Sequence, residues 1–579
     1  MKQWMIQPNH ADLDKISARY GISPIMAEVL VKRGLYDWEA MDEYLYPKLE
    51  KLHSAKDMKD MEKGAAILHN KIAQKKKIQI IGDYDADGVM STSILYLGLK
   101  KMGADVSWRI PHRQRDGYGI RDYMVIEAKK QGVDTIVTCD NGISAVEAVA
   151  KGKELGMTVI ITDHHEVPTD PADGKEIIPP ADAIINPKQT ACRYPWKQLC
   201  GAGVAYRLVE VLAEDRFPKS FMEELLSMAA VATVCDVVPL QRENRIIVSN
   251  GLKFLQNSAN PGLASLIRQL DLNREVDCGT LGFRIGPCIN AAGRLEDAVL
   301  GVELFTQSQQ QNTDELAAKL ISLNESRKEM TQQAVEKALY LIETERYSEQ
   351  NVLVVPVYEC PESVAGIVAG KIREKYYRPT LILTMSGEKM KGSGRSIPGY
   401  HMQQELNKCK DLLLEYGGHA MAAGFSLKPE MLDELRNTLN KNCVLKPEDF
   451  VEKITIDREV PLGDITGNLV RELELLEPVG EQNRGAFFAK RKVEILSVRL
   501  CGKEKQVGSF RVADQGKRYQ IVDFDVRLHM QKTICEKYSP HMWQEVLAGK
   551  AQGCVVDILY KPGINEKYGE LQYTVIDCR

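Results

Sequence analysis

Between residues 76 and 240 short apolar runs alternate with helical patterns, and three of the runs end in acids. Ile78–Ile81 follows three lysines, Lys75, Lys76 and Lys77, and stops at Gly82. Asp83, Asp85 and Asp87 then stand at every second position before Gly88 opens a helical pattern reaching Lys101. Thr135–Thr138 runs into Asp140 and Gly142 (TIVTCDNGIS), and Thr158–Thr162 into Asp163, His164 and His165 (TVIITDHHEVP); Asp105–Ile110 is a further strand pattern. Short runs without alternation, each followed by helix, predict a doubly wound parallel sheet covered on both faces. Such sheets bind ligands outside the carboxyl ends of their strands. An Asp/Gly-rich stretch taken alone is equally well an ordinary turn. Later in the chain Asp236 interrupts the apolar SMAAVATVCDVVPL, where an unpartnered carboxylate would be expensive.

Asp83, Asp85, Asp140, His164 and Asp236 offer oxygen and imidazole donors and no thiolate, a mix that suits manganese or magnesium rather than structural zinc. Crowded carboxylates repel one another unless a cation joins them. Four carboxylates exceed what one divalent ion needs, so two ions sharing a carboxylate are expected. Two ions about 3.5–4 Å apart are suited to in-line displacement at phosphorus.

DYDADG, CDNG, DHH and the VCD segment, in this order along about 160 residues, resemble the four motifs of the DHH phosphoesterase superfamily. The resemblance implies that Asp83, Asp85, Asp140, His164 and Asp236 are metal ligands, and that His165 faces the substrate phosphate or leaving group as an acid or hydrogen-bond donor. It leaves Asp87 and Asp163 open; either orients a ligand from behind. Residues 282–298, GFRIGPCINAAGRLEDA, carry Asn290, Gly293 and Arg294 and resemble the NAxGR element of bacterial RecJ exonucleases, a resemblance that implies Arg294 as a phosphate clamp and Asn290 at the substrate. A second α/β region starts at NVLVVPV (351–357). Its GSGRSIPG and YGGHAMAAGF segments resemble the DHHA1 domain, implying that Ser393, Arg395, Ser396, Gly417, Gly418 and His419 hold the nucleic-acid end. Cys360 to Ser363 depart from the family pattern before GIVA.

Between these regions, Thr313 to Arg346 keeps one apolar face with no Gly or Pro, predicting a rigid connecting helix. In the loop PHRQRDGYGI, Arg113, Arg115 and Tyr118 suit phosphate or base contacts, or form an ordinary solvated loop. Beyond Asp457, EPVGEQNRGAFF partly resembles the family's EPFGxGNPxPxF. From Arg484 to Tyr519 ten Lys or Arg stand against three acids, in a chain whose net charge is −4 and pI about 6.3. Phe487, Phe488, Phe510, Tyr519 and Phe524 are interleaved with them, a pattern expected of an OB barrel that tracks single strands, at least half of these aromatics being barrel core.

A chain of 579 residues is too long for one core. The expected division is a helical extension (1–75), a DHH domain (76–312), the helix (313–346), a DHHA1 domain (347–450) and an OB domain (455–579). Thirteen cysteines without C-x-x-C read as reduced thiols, and neither a signal peptide nor an 18-residue apolar run is found, so a cytoplasmic location is expected. No G-x-x-x-x-G-K-[ST] argues for an ATP-driven motor. The resemblance implies a bacterial, manganese- or magnesium-dependent exonuclease of DNA repair and recombination. It would be a monomer degrading single-stranded DNA 5′ to 3′ from a phosphorylated end to 5′-mononucleotides, with a helicase and a single-strand binding protein as partners. A related phosphodiesterase acting on short oligoribonucleotides or cyclic dinucleotides is the alternative; a binding scaffold that has lost its site is opposed by the intact ligand set.

Overall fold

A computed structural model describes residues 2–6, 8, 11–272, 276–565 and 568–579. Contacts divide the chain into two units, Pro47–Phe450 and Met1–Tyr46 with Val451–Arg579.

The larger unit begins with a five-stranded parallel sheet: β1 (Lys77–Ile81), β2 (Asp105–Arg109), β3 (Thr135–Cys139), β4 (Thr158–Thr162) and β5 (Ala183–Ile185), in the order β2-β1-β3-β4-β5. The strands lack polar alternation because both faces are covered. Ile78, Ile80, Val137 and Ile160 face the main core, whereas Ile81 and Ile136 face a second cluster with Met124 and Val125. The order reverses between β1 and β3, so the crevice above their carboxyl ends is the switch point where open sheets bind ligands. Helix α1 (Ala86–Lys101) follows β1, with Asp85 as N-cap accepting from the Gly88 N–H at 3.0 Å. Gly88 cannot be replaced here, since a Cβ would lie 2.4 Å from the Asp83 carbonyl oxygen. Helices α2 (Gly201–Ala213) and α3 (Lys219–Cys235) complete the covering of α1.

Helix α4 (Gly286–Leu295) carries the NAxGR element, and α5 (Gln310–Thr344) is the long connecting helix. Ala317, Leu320 and Leu323 of α5 belong to the first core, Ala334, Val335, Ala338 and Ile342 to that of the next domain. That domain has a mixed sheet of β6 (Leu353–Pro356), β7 (Thr380–Ser386), β8 (Lys389–Arg395), β9 (Glu415–Gly418) and β10 (Ala422–Leu427), ordered β9-β10-β8-β7-β6, with α6 (Glu362–Tyr376) packed on it.

In the smaller unit β11 (Phe488–Cys501), β12 (Val507–Asp514), β13 (Lys517–Asp523), β14 (Val555–Asn565) and β15 (Glu570–Cys578) close a barrel through the β11–β14 pairing. The first 46 residues pack here: Met26, Leu30 and Met41 share a core with Phe488, Phe510 and Val556. The extension expected over 1–75 is therefore divided, with residues from Pro47 onward in the larger unit. Tyr44 donates to Asn483 Oδ1 at 2.6 Å, which places the QN of EPVGEQNRG in a structural tie.

Candidate metal centre and end-binding cavity

Asp83 lies two residues beyond β1, Asp140 immediately beyond β3, His164 two beyond β4, and Asp236 just after α3. Their donor atoms fall into overlapping groups, each within 4.8 Å: Asp83, Asp85 and Asp140; Asp87, His164 and Asp236; and Asp140, His164 and His165. All five residues expected as ligands from the sequence come together at the switch point. His164 Nε2 stands 3.1 Å from Asp140 Oδ1 and 3.7 Å from Asp236 Oδ2. Asp140 is held at φ +60°, a left-handed conformation that a non-glycine residue keeps only when its surroundings enforce it.

The electrostatics of this cluster are those of a site built around cations. Burial, and then the neighbouring carboxylate of Asp85, push Asp83 well above the usual carboxylate range. Burial and the charges of Asp87, Asp85 and Asp83 do the same to Asp140. Asp236 rises to about 9 through burial and the charges of Asp87 and Asp85. Burial and His165 drive His164 down to about 3, so its ring is neutral with a lone pair to give. Asp83 Oδ1, Asp140 Oδ1 and His164 Nε2 are buried without a hydrogen-bond partner among the described residues. Unpartnered buried carboxylates facing a neutral imidazole fit hard divalent cations, which reverse the repulsion that raises these pKa values.

The two undecided aspartates have distinct surroundings. Asp87 receives the N–H groups of Gly201 (2.6 Å) and Ala202 (2.7 Å) at the start of α2, while its Oδ2 is 3.6 Å from His164 Nε2. It fastens α2 to the aspartate turn at the edge of the ligand group. Both oxygens of Asp163 are taken up by hydrogen bonds: its Oδ2 accepts from Ile143 N–H at 2.9 Å, its Oδ1 from His164 N–H at 2.7 Å and from His165 Nδ1 at 2.8 Å. Against the cost of burial, that hydrogen bond and the charges of Asp163, Asp236 and Asp87 raise His165 to about 9.

Two positions carried no decisive sequence signal. Tyr118, in the arginine-containing loop, donates its hydroxyl to the Asp140 carbonyl oxygen at 2.7 Å and lies 3.0 Å from His165 Nδ1. Asn141 bridges β1 and β3, its Nδ2 donating to the carbonyl oxygens of Ile81 (3.1 Å) and Cys139 (2.9 Å). The first sits in a loop where arginines dominate the pattern. The second is one polar residue beside a more obvious acid.

The NAxGR element docks onto the aspartate turn. Asn290 Oδ1 accepts from Ala86 N–H at 2.9 Å, and a Cβ at Gly293 would lie 2.5 Å from the Tyr84 carbonyl oxygen. Asn290, expected at the substrate, thus has its carbonyl committed to shaping the turn. Arg294 donates to the Ser363 carbonyl oxygen at 2.7 Å. Burial and the neighbouring Arg113, Arg327 and Arg395 lower it to about 10, against the opposing charge of Asp85. Beside it opens a cavity of about 480 Å³ lined by Tyr84, Arg113, Ser363, Lys391, Ser393 and Gly417 among others. Arg395 Nη1 lies 3.4 Å from Ser393 Oγ. His419 and Gly417 are exposed and Gly418 half-buried. Ser396 departs from expectation: it is buried, with its hydroxyl donated to the Tyr400 carbonyl oxygen at 2.6 Å, and shapes the turn after β8 instead of meeting a ligand. At the departure from the family pattern, Glu362 pairs with Lys391 at 2.7 Å on the cavity wall.

On the barrel, Arg499, Arg511 and Arg518 are exposed on the adjacent strands β11, β12 and β13, with Ser497 opposite Arg511 and Ala513 opposite Arg518. Arg484, by contrast, grips the buried Asp457 through two hydrogen bonds of 2.7 and 3.0 Å. Of the five aromatics, Phe488 and Phe510 are fully buried, Phe487 and Tyr519 partly so, and Phe524 is exposed.

A doubly wound sheet with acids at its switch point, joined by one helix to a glycine-rich α/β domain, defines a DHH-family phosphoesterase. Family models match accordingly: the DHH family N-terminal domain over residues 77–233, the DHHA1 domain over 349–444 and the RecJ OB domain over 456–577. The single-stranded-DNA-specific exonuclease RecJ of Bacillus subtilis (strain 168) is 36% identical over 530 residues, which are 90% of this chain and 66% of that protein. Its namesake in Salmonella typhimurium is 35% identical over 465 residues, 76% of this chain and 79% of the relative. The crystal structure of RecJ from Thermus thermophilus in complex with Mn2+ matches with a TM-score of 0.81 at 27% identity, covering 100% of this chain and 79% of that one. The Mg2+ complex of the same protein gives 0.76. The chain belongs to the RecJ family of the DHH superfamily.

Proposed function

We propose that this chain is a two-metal, single-strand-specific 5′-to-3′ DNA exonuclease that releases 5′-mononucleotides. The observation that carries this reading is that the donor groups Asp83–Asp85–Asp140 and Asp87–His164–Asp236 are joined by a third that contains Asp140 and His164, the atoms of each group lying within 4.8 Å of one another. The cavity on the same unit, lined by Arg113 and Lys391 and with Arg294 beside it, adds the means of gripping an end. Asp83, Asp85 and Asp140 would hold one Mn2+ or Mg2+, and Asp140, His164 and Asp236 the other. When bound, such ions activate water and stabilise developing charge on attacking and leaving oxygens.

The protein's own residues do the rest. Asp87 and Asp163 fix the helix start and the imidazole behind the ligands. His165 holds a proton for the leaving oxygen. Arg294, Ser393 and Arg395 bind the terminal phosphate, and this end recognition makes the cleavage exonucleolytic. Arg499, Arg511 and Arg518 on the barrel track the strand backbone by charge. The enzyme acts as a monomer in the bacterial cytoplasm, beside a helicase and a single-strand binding protein.

Digestion of 5′-labelled and 3′-labelled single strands with Mn2+ tests the reading. Mononucleotide release from the 5′ end, lost in Asp83→Ala and Asp140→Ala proteins that still bind DNA, is expected. Hydrolysis of short oligoribonucleotides without hydrolysis of long single-stranded DNA would overturn it, as would wild-type rates in either variant.

A further inference from the structure

We infer that Tyr118 is a positioning residue for the hydrolysis, its hydroxyl anchored on the Asp140 backbone and fixing the ring of His165. The inference rests on the reading of His165 as the group that meets the leaving oxygen.

The hydroxyl is delivered by a tied-down loop. His112 N–H donates to Asp116 Oδ2 at 2.7 Å, Arg121 Nε to the Asp116 carbonyl oxygen at 3.0 Å, and Ile120 N–H to Asn141 Oδ1 at 3.3 Å. These bonds hold both flanks of Tyr118 against the strand end that carries Asp140. The tyrosine hydroxyl has one hydrogen, and the Asp140 carbonyl oxygen at 2.7 Å can only accept it. Its oxygen lies 3.0 Å from His165 Nδ1 and 3.4 Å from Nε2, distances that set it against the imidazole ring and well off the Nδ1–H axis, so it takes no hydrogen bond from that nitrogen. The same Nδ1 is 2.8 Å from Asp163 Oδ1. The Nδ1 hydrogen thus goes to the Asp163 carboxylate, and the anchored phenol oxygen abuts the ring from a different loop, which limits rotation of the imidazole about that bond. The rings meet edge to face, with centroids 5.4 Å apart at 68°. Asp163 alone leaves the ring free to swing about one hydrogen bond; with Tyr118 present the swing runs into a hydroxyl fixed on the Asp140 backbone.

A packing role does not account for this arrangement. The Tyr118 side chain is 38% exposed and joins no hydrophobic core cluster among the described residues. Its anchor is also well chosen. The Asp140 carbonyl belongs to the residue held at φ +60° whose carboxylate joins the two donor groups, so His165 is referenced to the centre of the site and not to a flexible wall.

The test uses the full chain with Mn2+ and a 5′-phosphorylated single strand. Tyr118→Phe keeps the ring and removes only the hydroxyl. Residues that orient a catalytic-site ligand from behind cost about 10–100-fold when removed, and a loss in kcat of that size is expected, with KM and melting temperature unchanged. In a His165→Ala background the same substitution should cost less than about twofold, because two groups acting as one unit are not additive. Wild-type kcat for Tyr118→Phe, an equal loss in both backgrounds, or a loss confined to KM would overturn the inference while leaving the role of His165 standing. Wild-type kcat for His165→Ala would overturn both together.

Discussion

His164 Nε2 and Asp140 Oδ1 approach to 3.1 Å from the ends of neighbouring strands β4 and β3. This contact joins two donor groups that would otherwise be separate, one rich in aspartates from the β1 turn, the other containing Asp236 from the end of α3. Nothing in protein-only chemistry rewards the arrangement, since the residues nearest the seam are buried carboxylates pushed up in pKa and an imidazole pushed down.

Removing one charge at the seam should therefore help the metal-free protein while abolishing turnover. Asp140→Asn is expected to gain about 0.5–2 kcal/mol in EDTA, the range typical of a single stabilising substitution. Wild type should instead be stabilised by Mn2+, by about 2.7 kcal/mol at a hundredfold excess over Kd. Thermal melts in EDTA and in Mn2+, with nucleotide release measured alongside, read both effects. A variant less stable than wild type in EDTA would contradict the repulsion argument.

The same charges predict how metal-free stability depends on pH. Asp236, raised to about 9, binds a proton in the folded state that the unfolded carboxyl, near 4, has already lost. His165, also raised to about 9, keeps its proton above the unfolded value near 6.5. In both cases the folded state holds more protons, so stability falls as pH rises. His164, lowered to about 3, has the opposite sign but acts only below about 6.5, where its unfolded form titrates. Between pH 6.5 and 9 the melting temperature of EDTA-treated protein should drop steadily, and saturating Mn2+ should flatten the slope. An EDTA curve that rises across this window would refute the assignment.

A phosphate-gripping role for Arg294 and Arg395 makes a substrate-dependent prediction. Charge-assisted hydrogen bonds contribute about 1.5–3 kcal/mol each, so a 5′-hydroxyl strand should be cut at least tenfold more slowly than a 5′-phosphorylated one at limiting concentration. Arg294→Ala and Arg395→Ala should erase most of that ratio by slowing only the phosphorylated strand. Equal rates on both ends in wild type would remove the end clamp from the account.

On the barrel, Arg499, Arg511 and Arg518 are expected to contact backbone phosphates. Each phosphate contact on a single strand adds about 0.7 to the salt slope of log K, so the triple alanine variant should flatten that slope by about 2. Hydrolysis of a dinucleotide should be unaffected. An unchanged slope would move the strand path to another face.

Strand ends were legible in the sequence because both-face burial leaves unbroken apolar runs, and an acid directly after such a run has few ordinary explanations. The long helix was legible from its single apolar face; Gln310–Thr344 is what forms where Thr313 to Arg346 was expected. Asp87 could not be resolved, because its partners are backbone N–H groups of Gly201 and Ala202, over a hundred positions away and invisible to side-chain pattern. Ser396 sits in the same short motif as Ser393 and Arg395, and only the Tyr400 carbonyl that takes its hydroxyl separates its role from theirs. The division at Tyr46 was likewise hidden, since Met26 and Leu30 look alike whichever core receives them. Arg484 counted toward a basic surface by composition alone, yet buried Asp457 consumes it.

The helix Gln310–Thr344 has one half embedded in the core beneath the candidate metal ligands and the other in the core of the glycine-rich domain, and the cavity beside Arg294 is lined from both sides, by Tyr84 and Arg113 and by Ser363, Lys391 and Ser393. If that cavity grips the terminus as proposed, the helix and the Arg294–Ser363 contact together would serve as a caliper, holding the gap between the residues that grip and those that cut. On that reading the size of the piece removed from a strand would be a mechanical property of the domain junction, and no side chain at either site would need to count nucleotides.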